Sequence, residues 1–241
     1  MIVSEDSAIA ASKEAYVEML RPYAEKGKID DDPVLKNRVY KITGRLIAQA
    51  IKIRPETKNW DWSIKIIDDP KTVNAWAMAG GKMALYTGLV EQIKPTDDEL
   101  AQVLGHEIGH ALAKHSAEQM SIAMASQIGV LAVGVATKSD GLALTGAALA
   151  AALAVQMPYS RAAESEADRI GIELAAKAGY DPAAAATLWQ KMGQEGGPTP
   201  PQWMSTHPDP ANRQSRLSKL EPEMRRYYDP DAPHPAYSFK G

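Results

Sequence analysis

Cysteine is missing altogether from the 241 residues. That excludes disulfides, thiol catalysis and cysteine zinc sites, so any metal must be held by His, Asp or Glu. An excess of positive charge is missing too: 27 Lys and Arg against 30 Asp and Glu leave a formal net charge of −3. This gives no electrostatic footprint for nucleic acid or anionic lipid. The N-terminal stretch MIVSEDSAIAASKEAYVEML has no basic n-region and no apolar run of signal-peptide length, which reads as a cytoplasmic protein or one whose leader is trimmed. Long hydrophobic runs are absent as well. The two apolar stretches, 120–136 and 142–157, are split by TKSDG and carry Ser, Gln and Thr. Each falls short of the roughly 20 strongly apolar residues that span a bilayer, so a buried or interfacial helical hairpin is expected. There is no internal repeat. The length suits one compact unit with ample chain to bury a core.

Helix-period apolar positions fill 4–26 and 33–53, for example Val34, Val39, Ile42, Leu46, Ile47 and Ala50. The period then changes. WDWSIKIIDD (60–69), VNAWAMAGG (73–81) and KMALYTGL (82–89) are short, strand-like and punctuated by Asp-Asp-Pro and Gly-Gly, which reads as a small antiparallel sheet. Helix resumes at PTDDELAQVLGHEIGHALAKH (95–115), where Thr96 can cap, Asp97, Asp98 and Glu99 suit the positive helix start, and Leu100, Val103, Leu104, Ile108 and Leu112 form the apolar stripe. GGPTPP (196–201) marks a loop before a short helix near 210–220, and DPDAPHPAYSFKG (229–241) reads as an extended tail. The expected fold is mainly α with a small antiparallel β-sheet, an α+β class. It is organised as an N-terminal helical extension (1–30), a main domain (31–222) and a C-terminal tail (223–241).

Three of the five histidines lie in LGHEIGHALAKHS (104–116). Four residues advance a helix by about 400°, so His106 and His110 stand within roughly 40° of each other, one turn apart, and can bind one ion. Glu107 points to a neighbouring sector, within reach of a water but not placed to ligate. A tetrahedral zinc needs a third protein ligand. His115, five residues past His110, is rotated roughly 140° from it and reads as a helix-end imidazole facing the carbonyl dipoles. In SRAAESEADRIG (160–171), Glu164 and Asp168 share one helix face. Glu164 can complete the triad, and Asp168 can accept the N–H of a ligating imidazole. From spacing alone the segment also reads as a solvated acidic helix with Arg161 and Arg169 as partners. Glu166, about 200° round from Glu164, falls outside the site.

HEIGH (106–110) followed by SRAAESEAD (160–168) resembles the zinc metallopeptidases of the CAAX prenyl protease and HtpX type, gluzincins with HExxH and a later ExxxD. That family includes soluble bacterial periplasmic members and a mitochondrial inner-membrane relative. VNAWAMAGGKMALYTGL (73–89) is similar to the segment before the family's active helix, and STHPDPANR (205–213) to its HPxxxxR element. The likeness runs in order from about 30 to 220 and implies a gluzincin-like metallopeptidase domain. It implies one Zn²⁺ per chain on His106, His110 and Glu164, with Glu107 as catalytic glutamate and Asp168 behind a ligand. It further implies His207 as a catalytic donor to the oxyanion and Arg213 as oxyanion or substrate support. His207 has a second implied use as a fourth ligand that keeps the resting site latent. Without the likeness it is a loop histidine before Pro208.

The implied activity is metalloendopeptidase hydrolysis of unfolded or misassembled proteins, Glu107 taking a proton from the attacking water and passing it to the leaving amine. An extended polypeptide is expected to add as a strand beside Asn74, Ala75, Trp76, Ala77 and Met78, with pure core packing of these strands as the less favoured alternative. No nucleic acid is involved. The bacterial envelope, as a periplasmic protein with its leader removed, is favoured over the cytoplasm, and peripheral membrane or envelope-complex association stays open. The alternative is a zinc-containing chaperone or assembly factor with little proteolysis, which would have little use for Glu107 between two ligands.

Overall fold

The computed structural model of the chain describes residues 3–132, 146–195, 202–208 and 213–239. The expected TKSDG turn, the loop 196–201 and positions 209–212 of the HPxxxxR stretch lie outside them. In chain order come α1 (Glu5–Ala24), α2 (Pro33–Ile53), β1 (Ser63–Ile67), β2 (Ala75–Met78), β3 (Lys82–Tyr86), α3 (Thr87–Ile93) and α4 (Asp97–Leu112). They are followed by α5 (His115–Ala132), α6 (Gly146–Ala154), α7 (Arg161–Lys177), α8 (Ala184–Glu195), α9 (Gln202–Thr206) and α10 (Arg213–Arg225). The mainly helical class with one small sheet is the one expected. Val34 departs from the stripe read for α2: it lies in the first turn and is exposed.

The sheet differs from expectation in one pairing. Its order is β1-β3-β2, with β2 antiparallel to β3 but β1 parallel to it, Ser63 opposite Lys82 and Ile67 opposite Tyr86. The segment after β1 crosses to the far side of β3 before the β2–β3 hairpin returns, so β3 runs in the same direction as β1. Gly80 and Gly81 make that hairpin at φ +78° and +77°, a region glycine enters at no steric cost. Alternation then splits the sheet into two apolar faces. Ile64, Ile66, Ala75, Ala77, Met83 and Leu85 join the main core with α2, α4 and α7. Trp76, Met78, Ala84 and Ile67 join a second core under α1, α5 and α6.

α4 is the centre of the molecule: every residue from Glu99 to Leu112 is buried. Its start is fixed by a reciprocal capping box, Glu99 N donating to Thr96 Oγ1 (3.2 Å) and Thr96 N to Glu99 Oε2 (2.8 Å). α7 is capped by Ser160 and crosses α4 at very close range. A Cβ on Gly171 would lie 2.7 Å from His106 N, and one on Gly105 2.8 Å from Gly171 O. This glycine contact brings the two motif-bearing helices close enough for their side chains to meet. Gly171→Ala is therefore expected to destabilise the protein by about 1–3 kcal/mol through overpacking and to weaken metal binding. Urea unfolding with an unchanged slope and a lower midpoint measures the first effect. An unchanged midpoint would mean that the contact yields freely.

α5 and α6 pack on each other and α6 on α1, with Ala148, Ala150, Ala151 and Ala154 buried and Ile122, Leu149 and Leu153 left exposed. Among the described residues no helix is long and apolar enough to cross a membrane. The tail expected over 223–241 begins inside α10, which runs to Arg225; its later described residues form no helix or strand but are tied down, Tyr237 N donating to Gly44 O at 2.8 Å and Phe239 packing against Tyr40.

Candidate active site

α4 contributes His106 and His110, α7 contributes Glu164, and His207 follows directly on α9. One ligand atom from each lies within 4.8 Å of all the others, and all four residues are buried. His106 Nε2 is 3.0 Å from His110 Nε2 and 3.2 Å from His207 Nδ1. Glu164 Oε1 is 3.2 Å from His110 Nε2 and 3.0 Å from His207 Nδ1. Ligands about 2.0–2.1 Å from a tetrahedral zinc stand about 3.3 Å apart, so the cluster has the size and donor set that zinc requires.

The electrostatics point the same way. Burial resists a charge on His106, but the charge of Glu164 and the bond to Asp168 overcome this and push its pKa up to about 9. The site attracts positive charge. Burial also works against ionising Glu164, yet the three histidines hold its carboxyl far below the usual range. His110 is pushed well down, first by burial and also by His106 and His207, and is neutral as a ligand must be.

Behind the ligands lies a second layer of charge. Asp168 Oδ1 sits 3.0 Å from His106 Nδ1 and accepts from Arg213 Nη2 at 2.5 Å, while Asp168 Oδ2 accepts from Arg216 at 2.8 Å. Arg213 Nη1 donates to Glu164 Oε2 at 2.6 Å. The sequence reading put Arg213 on the oxyanion or substrate side. Its side chain has no exposure, and its terminal nitrogens bond the carboxylates of Glu164 and Asp168. Nor is the ExxxD helix a solvated acidic face: Glu164 and Asp168 are buried, and Arg169 pairs with Glu223.

Burial raises the Asp168 pKa, but the bond to His106 and the charge of Arg213 win and hold it at about 2, against an ordinary 3.8. A depressed carboxyl adds stability that is complete above its unfolded value and lost as pH falls through its folded value. In zinc-free protein the stability gap between wild type and Asp168→Asn should therefore hold steady above about pH 4 and shrink by about 2 kcal/mol towards pH 2. Denaturant titrations across that range measure it, and a constant gap would show that the carboxyl is not depressed.

Glu107 is buried beside the cluster, its Oε1 accepting from Trp203 Nε1 at 2.8 Å and lying 3.3 Å from His207 Nε2. Trp203 was not foreseen, although it precedes His207 by one helical turn and accepts its N–H at 2.9 Å. Tyr159, next to the Ser160 cap, was also missed. Its ring stacks on His110 at 3.9 Å between centroids, and burial with the Glu107 charge raises its pKa. His115 does not face away as the helical phase implied. α4 ends at Leu112, Lys114 takes a left-handed φ of 65°, and α5 starts at His115, whose Nδ1 lies 3.0 Å from His110 Nδ1.

The expected substrate edge, Asn74 to Met78, is buried throughout. Trp203 N donates to Val73 O at 3.0 Å, Ser116 Oγ to Ala77 O at 3.1 Å, and Ala75 N to Asn74 Oδ1 at 2.9 Å. α9 and the start of α5 thus occupy the free side of β2, as a substrate strand would.

An HExxH helix, a buried carboxylate from a second helix within reach of its histidines and an adjacent glutamate outside that cluster have the make-up of a metallopeptidase centre. The profile of peptidase family M48 matches residues 33–221, and the chain belongs to that family. It is 36% identical over 181 residues to the mitochondrial metalloendopeptidase OMA1 of Bos taurus, covering 70% of this chain and 34% of that protein. Over 209 residues it is 32% identical to a putative beta-barrel assembly-enhancing protease of Vibrio cholerae, covering 83% and 41%. The OMA1 of Schizosaccharomyces pombe is 32% identical over 227 residues, 92% of this chain and 64% of that one. The chain thus spans about a third to two thirds of the length of these relatives.

Proposed function

We propose that this chain is a zinc-dependent endopeptidase that cleaves unfolded or misassembled polypeptides in bacterial envelope quality control. The observation that carries the reading is the buried convergence of His106, His110, Glu164 and His207 beside Glu107, which stands outside the cluster. When bound, zinc supplies Lewis-acid polarisation of water and scissile carbonyl. Glu107 accepts the water's proton and returns it to the leaving amine. Trp203 holds the Glu107 carboxylate in place, and Asp168 and Arg213 hold His106 and Glu164. His207 stands where a fourth ligand belongs, which closes the resting site; swung away, it is free to donate to the oxyanion. Departure of α9 would release Val73 O and carry His207 away from the cluster, while Ser116 at the start of α5 must also give up Ala77 O before the edge of β2 is open. Substrate then adds as an extended strand beside Asn74 to Met78.

The catalytic unit is taken as 31–222, with α1 and the tail as flanking supports. Within M48 we place the chain with the soluble bacterial members rather than with the polytopic CAAX prenyl or HtpX type. A bacterial relative named for enhancing beta-barrel assembly supports the envelope setting, whereas the OMA1 relatives are mitochondrial.

The purified chain should cleave an unfolded protein such as casein, lose that activity to a chelator, and regain it with zinc. Because α4 is anchored by a full apolar core, far-ultraviolet circular dichroism should survive chelation. Cleavage indifferent to chelation would overturn the assignment; complete unfolding would make the metal structural and favour the chaperone reading.

A further inference from the structure

Deepening the zinc reading, on which it rests, we propose that His115 and Glu166 form a relay that positions His110. His115 Nδ1 lies 3.0 Å from His110 Nδ1, and His115 Nε2 lies 3.4 Å from Glu166 Oε2. The direction of these bonds follows from the chemistry of imidazole. His110 turns Nε2 into the ligand cluster, towards Glu164 Oε1 and His106 Nε2. A neutral ligating imidazole keeps its one proton on the other nitrogen. His110 Nδ1–H is therefore the donor, and His115 Nδ1 must accept. A neutral His115 then carries its own proton on Nε2, aimed at the Glu166 carboxylate. The opposite tautomer of His115 would set two N–H groups against each other at 3.0 Å.

The backbone builds this contact deliberately. The left-handed turn at Lys114 breaks α4 so that the first residue of α5 folds back under the second metal ligand. Tyr159 covers the face of the His110 ring, stacked at 20°, while His115 holds its edge. α7 then provides a carboxylate for each function: Glu164 within the ligand cluster, Asp168 behind His106, and Glu166 behind His110 through His115. Glu166 is largely exposed and His115 is buried, so His115 carries most of the effect.

The test is zinc affinity, measured by competition with a chromophoric chelator, alongside thermal unfolding of the zinc-free proteins. His115→Leu fills the same space without an acceptor and should weaken zinc binding about 10–100-fold, the usual scale for groups behind metal ligands. His115→Asn sets an amide oxygen near the Nδ1 position and should recover most of the loss. Glu166→Ala should give a smaller loss with unchanged unfolding. Nitrogen-15 spectra of the zinc-loaded wild type should find the His110 proton on Nδ1. If His115→Leu binds zinc as tightly as wild type, or His115→Asn and His115→Leu lose affinity equally, the relay is overturned. If His115→Leu does not fold, His115→Gln replaces it, because its amide reaches the Nε2 position but not Nδ1. Tighter binding by Asn than by Gln supports the relay, and equal binding overturns it. A wild-type protein that binds no zinc would instead overturn the zinc reading itself.

Discussion

Glu107→Gln should lower cleavage of an unfolded protein by about 10²–10⁴-fold, the range a positioned general base contributes, equivalent to about 3–5 kcal/mol of barrier. Zinc content and unfolding temperature should stay near wild type. The substitution is nearly isosteric and keeps an oxygen where Glu107 Oε1 accepts from Trp203 Nε1. No ligand is removed, because Glu107 lies outside the four-residue cluster. What disappears is the carboxylate's capacity to take a proton. Retained cleavage at full zinc occupancy would remove Glu107 from the chemistry and with it the proposed mechanism. The same experiment separates protease from chaperone: a zinc-stabilised assembly factor would be indifferent to the change in any assay of holding or folding activity.

The second large effect is expected at His207. Its Nδ1 lies 3.2 Å from His106 Nε2 and 3.0 Å from Glu164 Oε1, within the cluster that would hold the zinc. Tyr159 holds the segment down, its N–H donating to Thr206 O at 3.1 Å and its ring lying 5.4 Å from that of His207. His207→Ala should therefore open the fourth position and raise basal cleavage several-fold. If the donor role dominates, cleavage falls instead by about 10²–10³-fold, the cost of losing an oxyanion donor. Steady-state rates on one fluorogenic unfolded substrate show which role dominates, and an unchanged zinc first shell in His207→Ala would refute the closed resting state.

Much of the architecture follows from local patterns. Thr96 with Glu99 announced the start of α4, and the apolar stripe from Leu100 to Ile108 placed that helix in the core, where it lies. The four-residue spacings of His106 with His110 and of Glu164 with Asp168 read correctly as shared faces, because each pair sits inside an uninterrupted helix. Helical phase failed where the helix stopped. Helical phase misplaces His115 because a left-handed residue at Lys114 resets the geometry, and it excludes Glu166, about 200° round from Glu164, whose contact is with His115 of another helix. The pairing of β1 with β3 depends on a long-range crossover that no local alternation encodes. From sequence, the HPxxxxR likeness gives Arg213 as oxyanion or substrate support. Its bonds to Glu164 and Asp168 depend on the packing of the guanidinium between α7 and the tryptophans of α8 and α9, which no local pattern encodes.

The most direct test of the metal centre is zinc-edge X-ray absorption with metal analysis on the purified protein. One zinc per chain with four nitrogen or oxygen ligands at about 2.0–2.1 Å, three of them imidazoles and falling to two in His207→Ala, is the expected result. A protein that holds no zinc, or a first shell that is unchanged when His106 or His110 is replaced by Ala, would contradict it.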